Sequence, residues 1–104
     1  MLKPESIAYI KEVAERFGAE KIILFGSCLK KTQEEAKDID LLVYGLDVFQ
    51  HWNMMREIMW ASELGNKSVD LVRAEDDLPI MVYAEKGVPI YERAAEWRRK
   101  EVPV

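Results

Sequence analysis

KIILFGSCLKKTQEEAKDIDLLVYG, residues 21–45, holds two apolar runs separated by a polar spacer. KIILF, residues 21–25, is short, apolar and stops abruptly at Gly26-Ser27, the pattern of a buried strand that ends in a sharp turn. DIDLLVYG, residues 38–45, reads as a second strand closed by Gly45. Strand side chains alternate between faces, so Asp38 and Asp40 share one face while Ile39, Leu41 and Val43 share the other. At about 3.3 Å per residue the two aspartates stand roughly 6–7 Å apart. The spacer, residues 28–37, is polar and helix-compatible and predicts one or two helical turns, with Ser27 able to cap them.

Pro4 suits the first turn of a helix, and Ile7, Ile10, Val13, Ala14 and Phe17 follow at helical spacing up to a stop at Gly18. After the second strand, Phe49, Trp52, Met55, Ile58, Met59 and Ser62 predict a long helix over residues 48–64, stopped by Gly65-Asn66. Residues 68–74, SVDLVRA, make a third strand with Asp70 between Val69 and Leu71. A short helix is predicted over 78–86, and VPIYER, residues 88–93, is a fourth strand that Pro89 confines to an edge or a strand start. The tail from residue 94 reads as helical and then frayed. Alternating helices and strands predict a sheet covered by helices, of α/β or α+β type, whose strand order the pattern leaves open.

Aspartate is depleted in strands, so its place inside the apolar frames IDL and VDL calls for a reason. If the second and third strands are neighbours, Asp38, Asp40 and Asp70 converge on one face. Like charges that close are unfavourable, and a divalent cation is one way to relieve them. Oxygen-only ligands favour hard ions such as Mg²⁺. The same alternation also fits a plain solvent-facing strand, so the carboxylates alone leave both readings open. A glycine and serine after a strand are, by themselves, usually just a turn, although N–H groups at a helix start favour a triphosphate.

The chain has 104 residues, enough for one domain spanning 1–104 but with little room for both a nucleotide site and an acceptor pocket. Its net charge of −4 argues against a general nucleic-acid binder, whose affinity rests on Lys and Arg neutralising phosphates. A single cysteine, Cys28, excludes an intrachain disulfide and a Cys-rich zinc site. With no signal peptide and no apolar run near the ~18 residues of a membrane span, a soluble cytoplasmic protein is expected.

Gly26-Ser27, a ten-residue spacer, Asp38-Ile39-Asp40 and the later Asp70 together resemble, in order and spacing, the nucleotidyltransferase superfamily related to DNA polymerase beta. The resemblance spans residues 5–93, and the short spacer and small size are most similar to the minimal nucleotidyltransferases encoded beside HEPN-domain partners. It implies a small mixed β-sheet flanked by helices. It further implies that Gly26 and Ser27 hold the phosphates of ATP or another nucleoside triphosphate. Asp38, Asp40 and Asp70 would bind two Mg²⁺ ions, with Mn²⁺ as a substitute, and Asp70 would help activate the acceptor hydroxyl. The implied acceptor is a tyrosine of a HEPN-type toxin, which makes this chain an antitoxin; homo-oligomer formation is left open. Two departures stand out. Many relatives carry an arginine and small residues soon after Gly-Ser, where this chain has Cys28, Leu29, Lys30 and Lys31, and many carry a serine before the first aspartate, where it has Lys37.

Two other functions compete: nucleotidyl transfer to a small molecule such as an aminoglycoside, and a non-catalytic antitoxin that works by occlusion. His51, the lone histidine, and Cys28 read as packing or surface residues rather than catalytic ones. Trp52, Met54, Met55, Met59 and Trp60 read mostly as core, but Trp52 and Trp60 do not share a stripe with Met54, so part of this set is expected to form an exposed contact surface.

Overall fold

A computed structural model of the chain describes residues 1–93; the predicted helical tail with Trp97, Arg98, Arg99 and Lys100 lies outside the described residues. Helix α1, Pro4–Phe17, starts with proline in its first turn and ends at Gly18, whose φ of 78° is the left-handed cap that glycine adopts without strain. Strand β1, Lys21–Phe25, and strand β2, Asp38–Tyr44, are the two runs that flank the spacer. Helix α2, Val48–Ile58, opens with a capping box: Asp47 accepts the Gln50 N–H at 2.8 Å, and the Gln50 side chain accepts the Asp47 N–H at 3.5 Å. Strand β3, Ser68–Arg73, a one-turn helix α3, Met81–Ala84, and strand β4, Val88–Glu92, complete the described chain.

The four strands form one mixed sheet in the order β3-β2-β1-β4, with β1 antiparallel to β2 and β4, and β2 parallel to β3. β4 is an edge strand, as its proline requires. Helices α1 and α2 cover one face, where Ile10, Val13, Met54 and Ile58 pack on Ile22, Leu24, Ile39, Leu41, Val43 and Leu71. The opposite face is covered at one end only, where Met81, Ala84 and Ala74 pack on Ile23, Phe25 and Leu42. The other end of that face carries the aspartates.

Three predicted elements differ from the structure. The spacer is not a helix of one or two turns: a 3₁₀ turn, Gly26–Leu29, is followed by a single turn in which Ala36 N–H reaches the Thr32 carbonyl at 3.1 Å. Ser27 lies inside the 3₁₀ turn rather than capping it; Phe25 precedes the turn and no side chain caps it. The spacer is irregular because its buried members are spent on the rest of the fold. Gln33 is buried, donates to Ser6 Oγ at 3.0 Å and accepts the Lys3 N–H at 2.9 Å. Helix α2 also stops early, at Ile58. Met59 leaves the helix so that its sulfur accepts the Val69 N–H at 3.3 Å, and Trp60 N–H donates to the Lys67 carbonyl at 2.9 Å. The third difference is α3, which spans four residues where nine were expected.

Candidate active site

β1 runs into the site and β2 and β3 run out of it. In the antiparallel pairing Phe25 lies opposite Asp40, so the turn that follows Phe25 sits against the start of β2. In the parallel pairing Asp40 lies directly opposite Asp70, and Asp38 opposite Ser68. Residues paired in this way project to the same face. The structure therefore brings Asp38, Asp40 and Asp70 together at the uncovered end of the sheet, on the face away from α1 and α2.

Gly26 belongs to the same cluster through contact, not merely sequence order. Its φ is 79°, and a Cβ placed on it would lie 2.2 Å from Asp40 Oδ2 and 3.1 Å from Asp40 Cγ. The Asp40 carboxylate occupies the space that any side chain at position 26 would need. Ser27, half-buried, follows in the turn, and its carbonyl accepts the N–H groups of Lys30 and Lys31 at 3.1 and 2.9 Å.

The electrostatics are one-sided. Asp38 and Asp70 are exposed and Asp40 is half-buried. Burial, reinforced by the charges of Asp70 and then Asp38, holds the Asp40 carboxyl above its ordinary value of 3.8. No lysine or arginine of residues 1–93 forms an ion pair with any of the three. Lys67, at the start of β3, gives its ammonium instead to the carbonyls of Ala36 at 2.6 Å and Glu34 at 3.3 Å. That contact ties the spacer to the sheet just ahead of Asp38. A lysine before a strand is ordinary in sequence, so only the fold reveals this role.

Cys28 is fully buried beneath the turn, its thiol 3.5 Å from the Asp38 carbonyl, and burial pushes its pKa up. It is a packing residue, in keeping with its sequence reading. His51 is buried as well, with Nε2 2.5 Å from the Leu71 carbonyl. β3 is the free edge of the sheet, and Val69 and Leu71 turn their backbone groups outward. His51 and Met59 satisfy those groups from α2. A shallow groove lined by Phe17, Asn53, Arg56 and Glu57 lies on the helical side of the molecule, remote from the carboxylates.

Residues 8–96 match the family described as Polymerase beta, Nucleotidyltransferase. The chain belongs to that family. Solved structures of similar fold come from toxin–antitoxin complexes. The MntA–HepT crystal structure has a TM-score of 0.63 at 20% identity, over 90% of this chain and 76% of that chain. A mutant of that pair with two aspartates changed to glutamate has a TM-score of 0.66 at 22% identity, over 86% and 76%. A tri-AMPylated Shewanella oneidensis HEPN toxin in complex with its MNT antitoxin matches with a TM-score of 0.61 at 21% identity, over 90% and 76%. At these identities the similarity establishes the fold, a small mixed sheet with helices as the nucleotidyltransferase family has it. No curated protein sequence matches the chain. Among the described residues, no helix of this nucleotidyltransferase is long and apolar enough to cross a membrane.

Proposed function

We propose that this nucleotidyltransferase moves AMP from ATP to a hydroxyl of a protein partner, a tyrosine of a HEPN-type toxin, and thereby acts as a cytoplasmic antitoxin. The observation that carries the reading is the cluster of Asp38, Asp40 and Asp70, free of any cation of residues 1–93 and packed against Gly26 at the open end of the sheet. Support for the acceptor comes from the solved toxin–antitoxin complexes, one of which holds a tri-AMPylated HEPN toxin. The described elements agree: both long helices are packed on the far face of the sheet, and none of the described elements builds an acceptor pocket beside the carboxylates.

The donor set suits a divalent cation. Mg²⁺ is held by one or two carboxylates together with substrate phosphates, and among the described residues no three acidic, imidazole or thiol groups close into a cage by themselves. In this reading Asp38 and Asp40 would hold two Mg²⁺ ions, or Mn²⁺ in their place, with Asp70 as a further ligand. When bound, the ions supply the positive charge that offsets the carboxylates and the triphosphate. Gly26 leaves room for Asp40 and lets the backbone of the turn approach the phosphates, where Ser27 adds a hydroxyl donor. Asp70 accepts the proton of the acceptor hydroxyl. The hydroxyl oxygen bonds to the α-phosphorus as the bond to the departing pyrophosphate breaks, so that positioning and charge perform most of the catalysis.

The test is incubation of the chain with α-labelled ATP, Mg²⁺ and the product of its neighbouring gene, for which this reading expects a HEPN-family protein. Label is expected on the partner with the wild-type chain and absent with Asp38→Asn or Asp40→Asn. Equal neutralisation of the toxin by the wild type and Asp40→Asn, with no label on the partner, would overturn the catalytic reading in favour of occlusion. Label on an aminoglycoside without any protein would redirect the acceptor to a small molecule.

A further inference from the structure

Helix α3 is apolar on both sides, although the sheet needs only one of them. Met81 and Ala84 face inward onto Ile23, Phe25 and Leu42. Val82 and Tyr83 face outward on the helix, Leu78 and Ile80 lie in the turn before it, and Val88 starts β4; in chain order Leu78, Ile80, Val82, Tyr83 and Val88 are exposed by 47%, 46%, 71%, 59% and 43%. The short segment 78–83 has no internal reason to expose four apolar side chains within six residues, and exposed apolar residues grouped in this way mark a contact site.

The patch adjoins the catalytic end of the sheet. The Tyr83 ring meets the Phe25 ring edge-on at 6.2 Å and 84°. Phe25 is the register partner of Asp40 and directly precedes Gly26. A molecule seated on α3 therefore lies beside the carboxylates.

Charge selects the occupant. The segment leading into α3 carries Glu75, Asp76 and Asp77, and Glu85 follows the helix. Arg73 is engaged locally with Asp76 at 2.5 Å and Glu75 at 4.0 Å, and Lys86 is the one other cation of residues 73–88. An acidic rim around an apolar centre repels a triphosphate. It also disfavours a second copy of the chain, because a two-fold contact through the same patch sets the acidic rims against each other. We propose that the surface formed by Val82 and Tyr83 of α3, Leu78 and Ile80 of the turn before it, and Val88 docks the acceptor protein. That partner meets the face with an apolar patch bordered by lysine and arginine, and its hydroxyl is thereby carried to Asp70. The proposal rests on the acceptor being a protein, and it names the surface that chooses it.

Binding and transfer are measured separately. The chain is titrated with the purified HEPN-family partner by calorimetry without ATP, and transfer is followed with labelled ATP. Val82→Glu changes a side chain that is 71% exposed, and its fold is checked by circular dichroism. It is expected to raise the partner Kd and KM about tenfold or more, as replacement of a contact hot spot does, and to leave Mn²⁺ binding unchanged. Glu85→Lys is expected to weaken binding as well and to flatten its dependence on salt. If the wild type labels the partner and Val82→Glu and Tyr83→Ser bind it as tightly as wild type, the docking surface is wrong while the transfer reading stands. If wild type neither binds nor labels the partner, both fall. Self-association of the free chain that Val82→Glu abolishes would assign the patch to a second copy and overturn the proposal.

Discussion

Replacing Gly26 by alanine separates the cost of a backbone conformation from the cost of displacing the Asp40 carboxylate, because Gly18 provides the control. Both glycines adopt left-handed φ values, 79° and 78°. Alanine in that region costs about 1–2 kcal/mol. In a domain of this size each kcal/mol lowers Tm by about 4–8 °C. Each variant should therefore stay folded with a Tm lower by about 4–16 °C. They diverge in what the new methyl group meets. At Gly18 nothing lies within 4 Å, whereas at Gly26 Asp40 Oδ2 lies 2.2 Å away. Ordinary contact begins at 3.4 Å, so the Asp40 carboxylate must retreat by about 1 Å. A misplacement of about 1 Å in a catalytic constellation can cost on the order of 10²-fold in rate. Gly26→Ala is therefore expected to lose transfer by about that factor, and Gly18→Ala to keep it, with both melting profiles read by scanning fluorimetry in parallel. Full transfer by Gly26→Ala would refute the claim that the Gly26–Asp40 contact sets the site. Equal loss in Gly18→Ala would show that general instability, not Asp40, explains the defect.

Three further outcomes follow from particular residues. Asp40→Asn should raise Tm at neutral pH: the folded Asp40 pKa lies above the unfolded value, so its penalty is fully present above the raised pKa and disappears as pH falls below about 3.8, the ordinary value. Thermal melts of both proteins across that range check the sign, and added Mn²⁺ should stabilise the wild type but not the variant. His51→Phe removes the donor to Leu71 at the open edge of β3 and should cost about 1–3 kcal/mol, the penalty for a buried carbonyl left unpaired; urea unfolding measures it, and an unchanged midpoint would mean water replaces the imidazole. Cys28, buried with a raised pKa, should resist iodoacetamide at pH 7.5 until the chain unfolds. Rapid alkylation of the native protein, followed by mass spectrometry, would contradict its burial.

Much of this fold was legible because its signals are local. KIILF and DIDLLVY are apolar runs closed by glycine, and Pro4 and Gly18 mark the two ends of α1. The shared face of Asp38 and Asp40 followed from strand alternation alone. What stayed hidden depends on distant partners. No periodicity states that β2 and β3 run parallel with Asp40 opposite Asp70; the crossover through α2 decides it. The spacer has the composition of a short helix, yet Gln33 is drawn to Ser6 and Lys67 reaches back to Ala36, so tertiary bonds override its propensity. Helix α2 ends at Ile58 for the same kind of reason, since the edge of β3 claims Met59 and Trp60. The aromatic-rich helix was readable in outline: Met54 is fully buried, while Trp52 and Trp60 stand 55% and 61% exposed.

The two faces of the sheet divide the work between stability and chemistry. The face under α1 and α2 is a continuous apolar core, and it contains Ile39 and Leu41, the residues that alternate with the aspartates of β2. Burial of those side chains fixes the register of β2, because a slip by one residue would send Asp40 into the core and Ile39 into solvent. The same burial holds Asp40 half-buried beside Asp70, and that burial, with the charges of Asp70 and Asp38 added to it, raises its pKa. Helix α3 covers the apolar half of the other face and stops short of the carboxylates. The core therefore sustains an arrangement of like charges that would not persist on a free strand.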